Sequence, residues 1–508
     1  MNYSPKGCAV WDTWTLVRDD TVHLYHLQRR RPGADYISDF VEDSFGHAVS
    51  ADLINWTEQP PAMGPDPANP DDCRQPWTGS AAWHESKGYM FYTMRGSRQP
   101  LAQRIGLATS SDLTRWARHA GNPVITPDKA RYSTMERPTP GTVDCRDLLV
   151  IANPGGGFLG FYVTRLQAAD ELPQSSVIAC IESDDLVHWR HRGNAFAPER
   201  YACVEVPDVF ELNGRWFLTC LTGEWYGNFG NFSDPWATRG TIYAVSDRAE
   251  GPYVELSDNC LIVGDESCPL SCRSLEFQGR RFELYTDRER VSRSNAGTIW
   301  FGTITTPKLL ATRGDHLVAS YSSLIESRVT GEPVGLASPP RHYPLECWGQ
   351  AWRSCPASCW TYGDAVIGAS QTGWGVTQLT AEGEDFIYQA NVELDGRAAG
   401  LAFRMDDGRG GAVVAYDAVE KSMYLFCPGS WNEENCKIRR QVAYPVGRRF
   451  NLKVVARGEH LEGYIDDQLY LTVVRYGLER GRFGLFVDRS QASFADIKAQ
   501  ALRVEKPE

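Results

Sequence analysis

Ser50-Ala51-Asp52-Leu53-Ile54-Asn55-Trp56 decides the fold, because it returns as Ser110-Ser111-Asp112-Leu113-Thr114-Arg115-Trp116 and again as Ser183-Asp184-Asp185-Leu186-Val187-His188-Trp189. A weaker copy starts at Ser246-Asp247 and runs to Gly251-Pro252-Tyr253. The first Ser residues of successive copies stand 60, 73 and 63 positions apart. A repeat of that length, holding about four short strands, is the size of one β-propeller blade. Each copy follows an apolar strand, such as Ile105-Gly106-Leu107-Ala108-Thr109. Ser and Asp suit the turn, and the Trp is placed to wedge between neighbouring blades.

Working outward, strand signals fill the rest of the chain. Val22-His23-Leu24-Tyr25, Tyr89-Met90-Phe91-Tyr92 and Thr241-Ile242-Tyr243-Ala244-Val245 are short aromatic and β-branched runs bounded by turn residues. Asn213-Gly214 and Gln278-Gly279 each join two such runs, as hairpin turns with φ > 0 at both central positions do. Gly155-Gly156-Gly157 reads as a tight turn rather than a phosphate cradle. Five blades use the chain to about residue 330, and an irregular stretch with Pro333, Pro339, Pro340 and Pro344 follows. From Phe386 on, a second set of strands is spaced like an antiparallel sandwich. The expected architecture is all-β: a five-bladed β-propeller over 1–335, a linker over 336–362, and a C-terminal antiparallel β-sandwich over 363–508.

Composition narrows the function. The net charge of −12 leaves no concentrated cationic surface for nucleic acid, beyond the short run Arg29-Arg30-Arg31. No segment is apolar enough to span a bilayer, so no membrane partner is expected. The start of the chain lacks an apolar signal-peptide core, and its 14 cysteines are read as reduced core thiols, which together predict a cytoplasmic protein. Cys268…Cys272 and Cys355…Cys359 lack the flanking ligands of a zinc site, and the ten His residues show no metal-binding spacing. Neither a metal nor any other cofactor is expected.

Cleaving a glycosidic bond requires two carboxyl groups, one protonating the leaving oxygen and one attacking the anomeric carbon or activating water. In a propeller the innermost strands line the axial pit, so such groups come from distant points in the sequence. Asp12, Asp147 and Glu205 fit that demand, each at the edge of an apolar strand in a different blade. Asp208, three residues after Glu205, reads as a hairpin-turn residue.

Several segments, in order, resemble glycoside hydrolase family 32, the invertase, inulinase and levanase group. Val10-Trp11-Asp12-Thr13 stands where that family has W-M-N-D-P-N. Gly46-His47-Ala48-Val49-Ser50 through Trp56 resembles W-G-H-A-x-S-x-D-L-x-x-W, and Trp77-Thr78-Gly79-Ser80-Ala81 resembles F-S-G-S-A. Cys145-Arg146-Asp147 is similar to F-R-D-P, Val204-Glu205-Val206-Pro207-Asp208 to W-E-C-P-D, and Thr306-Pro307-Lys308-Leu309 with Gly314-Asp315-His316-Leu317 to the closing blade.

The resemblance implies that Asp12 is the nucleophile, Glu205 the acid and later base, and Asp147 a stabiliser of the transition state with Arg146 beside it. It also implies that Gln28, Trp77 and Ser80 shape the sugar subsite, and the aromatic ring of Trp11 beside the nucleophile reads as a sugar platform. Glu205 would then need a raised pKa, which crowding by two other carboxylates can supply.

The chain departs from the family at Trp11 and Thr13, where it has Asn and Pro, and at Leu148 and Val206. Families 43 and 68 share the propeller and a similar triad. The furanose therefore stays open between fructose and arabinose. A retaining β-fructofuranosidase-like hydrolase leads, ahead of an inverting arabinofuranosidase-like enzyme, a fructosyltransferase and a non-catalytic carbohydrate-binding protein. The expected partner is an oligosaccharide or small glycoside, and the oligomeric state is left open.

Overall fold

The three repeat copies build one and the same capped turn. Ser50 Oγ accepts the backbone N–H groups of Asp52 and Leu53 at 3.2 and 2.9 Å, and Asp52 Oδ1 accepts those of Ile54 and Asn55 at 2.9 and 2.7 Å. Ser110 with Asp112, and Ser183 with Asp185, make the same bonds. The turn leaves Leu53, Leu113 and Leu186 at φ of 63°, 60° and 66°, and all three side chains are buried. A left-handed leucine costs about 1–2 kcal/mol, and burying its side chain contributes about 1.5–3 kcal/mol, so the turn survives only where the leucine reaches a core.

The structure is a computed structural model that describes all residues except 1, 6, 32–43, 99–100, 137–142, 168–173, 225–227, 229–231, 265–269, 291–292, 296, 300–301, 336–358, 406–410, 428–437 and 505–508. Cys268, Cys355, Pro339, Pro340, Pro344 and most of the 336–362 linker fall outside the described residues.

Four four-stranded antiparallel sheets follow one another in a propeller arrangement. The first holds β1 (Cys8–Arg18), β2 (Thr21–Arg30), β3 (Phe45–Ser50) and β4 (Thr57–Met63). The second holds β5 (Trp77–His84), β6 (Lys87–Met94), β7 (Arg104–Ser110) and β8 (Ala117–Arg118). The third holds β9 (Arg146–Ala152), β10 (Phe158–Arg165), β11 (Ser176–Ser183) and β12 (Arg190–Phe196). The fourth holds β13 (Glu205–Leu212), β14 (Arg215–Gly223), β15 (Arg239–Ser246) and β16 (Val254–Gly264). Next come β17 (Leu270–Phe277), β18 (Arg280–Asp287), β19 (Thr303–Ile304), β20 (Lys308–Arg313) and β21 (His316–Ser320), of which β17, β18, β20 and β21 pair in that order. Both hairpin turns behave as their residues require: Asn213 and Gly214 lie at φ 55° and 79°, Gln278 and Gly279 at 50° and 70°.

Apolar side chains fill the gaps between neighbouring sheets. Trp14 and Tyr25 share a core with Met90 and Tyr92; Phe91 and Leu107 with Leu148 and Tyr162; Phe161 and Ile178 with Leu218 and Ile242. Phe217 and Tyr243 pack with Tyr285 and Leu310, while Leu275 and Leu284 pack back on Val10 and Leu24 of the first sheet. Trp116 meets Tyr25 edge-on at 5.7 Å, and Trp189 meets Phe91 edge-on at 5.7 Å. These two repeat tryptophans thus wedge against the sheet before their own, as expected. At the other end of the ring, Tyr3 bridges Ile304 and Val10 bridges Gly302, tying the N-terminal strand to the last set.

Beyond Cys359 the described chain is again antiparallel strand, with its own core that includes Tyr388, Leu401, Val414, Leu452 and Leu485. It attaches to the ring through a buried ionic cluster. Glu462 is held by Arg457 and Lys308, and its carboxyl falls to about 2 because these two cations outweigh the cost of burial. The cysteines whose side chains are described all carry free thiols. Among the described residues no helix is long and apolar enough to cross a membrane.

Candidate active site

One backbone irregularity recurs on the first strand of every set. β1 carries one extra residue between Val10 and Thr13, β5 between Trp77 and Gly79, and β9 between Arg146 and Leu149. β13 does so between Glu205 and Asp208, and β17 between Leu270 and Arg273. A bulge of this kind breaks the alternation of a strand and re-aims a side chain. Asp12, Thr78 and Asp147 lie within three of these bulges, and Glu205 opens a fourth. Two of the bulged residues have left-handed backbone: Asp147 at φ 60° and Val206 at φ 50°. For a β-branched valine that conformation is a true outlier, of the sort that costs about 1–3 kcal/mol and gathers at working sites.

Arg146 ties the acidic groups together. Its side chain is 3% exposed, and its Nη1 donates to Asp144 Oδ1 at 2.5 Å. Nη2 donates to Glu205 Oε1 and to Cys203 Sγ, both at 3.1 Å, and Nε lies 3.4 Å from Asp147 Oδ2. One planar fork therefore fixes two of the three predicted carboxylates relative to each other. Asp147 is further held at both ends: its N–H donates to Thr93 Oγ1 at 3.0 Å, and its Oδ2 accepts the N–H of Val206 at 3.1 Å. Asp12 is half-buried and accepts a short hydrogen bond from Thr78 Oγ1.

Burial and charge set Asp147 apart. Burial raises the Asp147 carboxyl to about 7; the nearby Arg146 opposes this, while the charges of Glu205 and Asp12 add to it. The carboxyl that this site lifts toward neutrality is therefore Asp147. Glu205 keeps its side chain 21% exposed and, like Asp12, is only half-buried.

The expected subsite residues are spread around the site. Trp11 is 6% exposed, its ring packed in the core with Trp14 and Tyr25. Gln28 is half-buried and donates from Nε2 to Ser44 Oγ at 3.2 Å. Trp77 is half-buried beneath the Arg95 guanidinium, 3.7 Å from the ring centre. Ser80 is buried, its Oγ has no hydrogen-bond partner among the described residues, and it lines an axial cavity with Asp208 and Arg273.

Asp208 corrects the sequence reading: it is not a turn residue but a buried member of β13, with Oδ2 accepting the N–H and hydroxyl of Ser274 at 2.8 and 2.6 Å. The pleat explains this, since the bulge after Glu205 turns Asp208 inward. Thr78, Asp144, Cys203 and Arg273 escaped the sequence reading. Thr78 and Asp144 adjoin recognised motif residues; nothing in the sequence marks Arg273. Among the described residues no group of three or more His, Cys, Asp or Glu could hold a metal ion.

Residues 20–246 match the model of the Glycosyl hydrolases family 32 N-terminal domain, a span that includes Asp147 and Glu205 and begins after Asp12. A fructan 1-exohydrolase of Triticum urartu is 31% identical over 174 residues, 33% of this chain. The matched stretch is 26% of that relative, so the chain aligns with about a quarter of its length. Among solved structures, an exo-inulinase from Aspergillus awamori superposes with a TM-score of 0.68 at 14% identity, covering 100% of this chain and 98% of that one. A Bombyx mori GH32 beta-fructofuranosidase in complex with sucrose superposes with a TM-score of 0.64 at 15% identity, covering 98% and 94%.

Proposed function

We propose that this chain, whose residues 20–246 match the family 32 N-terminal domain model, is a glycosidase of that family that cleaves a terminal β-fructofuranoside by double displacement. Asp12 attacks the anomeric carbon while Glu205 protonates the leaving oxygen; Glu205 then draws a proton from the water that releases the sugar. Asp147 accepts hydrogen bonds from sugar hydroxyls, which strengthen as the ring gains oxocarbenium character. Thr78 steadies the nucleophile, and Arg146 keeps Glu205 and Asp147 in register. The observation that carries this reading is the repeated bulge: distant stretches of chain each break their strand at Asp12, Asp147 or Glu205, and two of these bulges hold left-handed backbone, at Asp147 and Val206.

The substrate class follows from the relatives, several of which act on fructans or bind sucrose. A short oligosaccharide or small glycoside is the expected substrate. We read the ring as five-bladed, β17, β18, β20 and β21 forming the last blade. The domain limits are taken as 1–335 and 363–508, and the C-terminal strands as a β-sandwich that packs on the ring. No disulfide joins the cysteines whose side chains are described, which supports a reducing, cytoplasmic setting.

The test is hydrolysis of aryl β-fructofuranoside beside aryl α- and β-arabinofuranosides, with NMR of the first-formed anomer. Glu205→Gln should lose turnover and keep ligand binding. An inverted first product, preference for arabinose, or unchanged turnover in the variant each defeats this reading.

A further inference from the structure

One buried cation next to the site has no part in the chemistry above. Arg273 is the first residue after the bulge of β17 and is 4% exposed. Its Nη1 donates to the carbonyl of Gly79 on β5 at 2.6 Å, and its Nη2 to the carbonyl of Asp147 on β9 at 3.4 Å. A guanidinium in the ring's interior thus spans three inner strands and, among the described residues, bonds only to neutral oxygens. Burying such a group is costly unless anions stand near. The charges facing it are Asp208 on β13, Asp147 on β9 and Asp12 on β1; the other cation of the site, Arg146, is already shared among Asp144, Asp147 and Glu205.

Arg273 also lines an axial cavity of about 220 Å³, together with Ser80, Asp208 and Ser274. None of Asp12, Asp147 and Glu205 borders that cavity. The guanidinium therefore lies between the carboxylates and the cavity, as a floor. The Asp147 peptide that it grips is the left-handed one at φ 60°.

We propose that Arg273 is a positioning residue for the hydrolytic reaction: by joining the carbonyls of Gly79 and Asp147 it fixes the left-handed Asp147 peptide. This inference rests on the hydrolase reading above. The role requires no contact with substrate, so KM should move little while kcat falls.

Arg273→Met removes both carbonyl contacts and should lower kcat about 100-fold while holding KM within about threefold. Arg273→Lys keeps the charge but reaches a single carbonyl, so kcat drops about tenfold. Wild-type kcat in either variant, or a loss of kcat/KM carried by KM, overturns the proposal. The lysine arm stands alone should the methionine variant not fold.

A second readout is independent of turnover: amide hydrogen exchange of Val206, whose N–H donates to Asp147 Oδ2. It should quicken in Arg273→Lys, and an unchanged rate refutes the grip. Should the wild-type chain hydrolyse no furanoside, the hydrolase reading fails, while this exchange still decides the role of Arg273.

Discussion

Replacing Asp147 by Asn should stabilise the protein above neutral pH while destroying its activity. Asp147 is buried, and its carboxyl stands at about 7 instead of the ordinary 3.8. The sign is that of a raised acid: the fold binds the proton more tightly than the unfolded chain does. Its burden on stability is absent below about pH 4, grows as pH rises and is complete above about 7. Three units at 1.36 kcal/mol each amount to about 4 kcal/mol.

The amide has the same shape, can still accept the N–H of Val206, and carries no charge at any pH. A cooperative unit of roughly 300 residues has an unfolding entropy near 0.6 kcal/mol/K, so the gain is about 6 °C. Scanning calorimetry at pH 5 and pH 8 is the assay. Wild-type Tm should fall between the two conditions by several degrees more than that of Asp147→Asn, and the variant should exceed wild type at pH 8. Turnover should fall about 10²–10³-fold, as when a preorganised transition-state partner is removed. Parallel Tm profiles, or a variant less stable than wild type at pH 8, would refute the assignment of a strained, reluctantly ionised Asp147.

Three further outcomes are expected. Leu186→Gly should be more stable than Leu186→Ala by about 0.5–1 kcal/mol, reversing the usual order, because φ is 66° there; urea unfolding of the two variants checks this. Trp189→Ala should cost about 3–5 kcal/mol by emptying the wedge against Phe91, read as a lowered Tm. Glu462→Gln leaves Arg457 and Lys308 buried without their anion and should cost about 3–5 kcal/mol at neutral pH. In the wild type the depressed Glu462 carboxyl, at about 2, contributes stability above pH 4.5 that is lost as pH falls toward 2, so acid titration of Tm should be flatter in the variant.

The sequence by itself determined what local chemistry determines. The Ser-x-Asp-Leu turn is written in side chains that bond their own backbone within three residues, so it is legible copy by copy and gives the blade repeat. The Asn213-Gly214 and Gln278-Gly279 hairpins were legible for the same reason, and Asp12, Arg146, Asp147 and Glu205 because motif order marked them. What only the tertiary structure decided depends on partners far apart in the chain. The bulges that aim the carboxylates are mismatches between strands, which no single strand records. The elevation of Asp147 comes from burial and from charges about 60 and 135 positions away. Asp208 turned from a loop residue into a buried anchor for Ser274, and Arg273 entered the floor of the site. Local bonds can be read from neighbours in sequence, whereas desolvation and long-range charge exist only once the ring has closed.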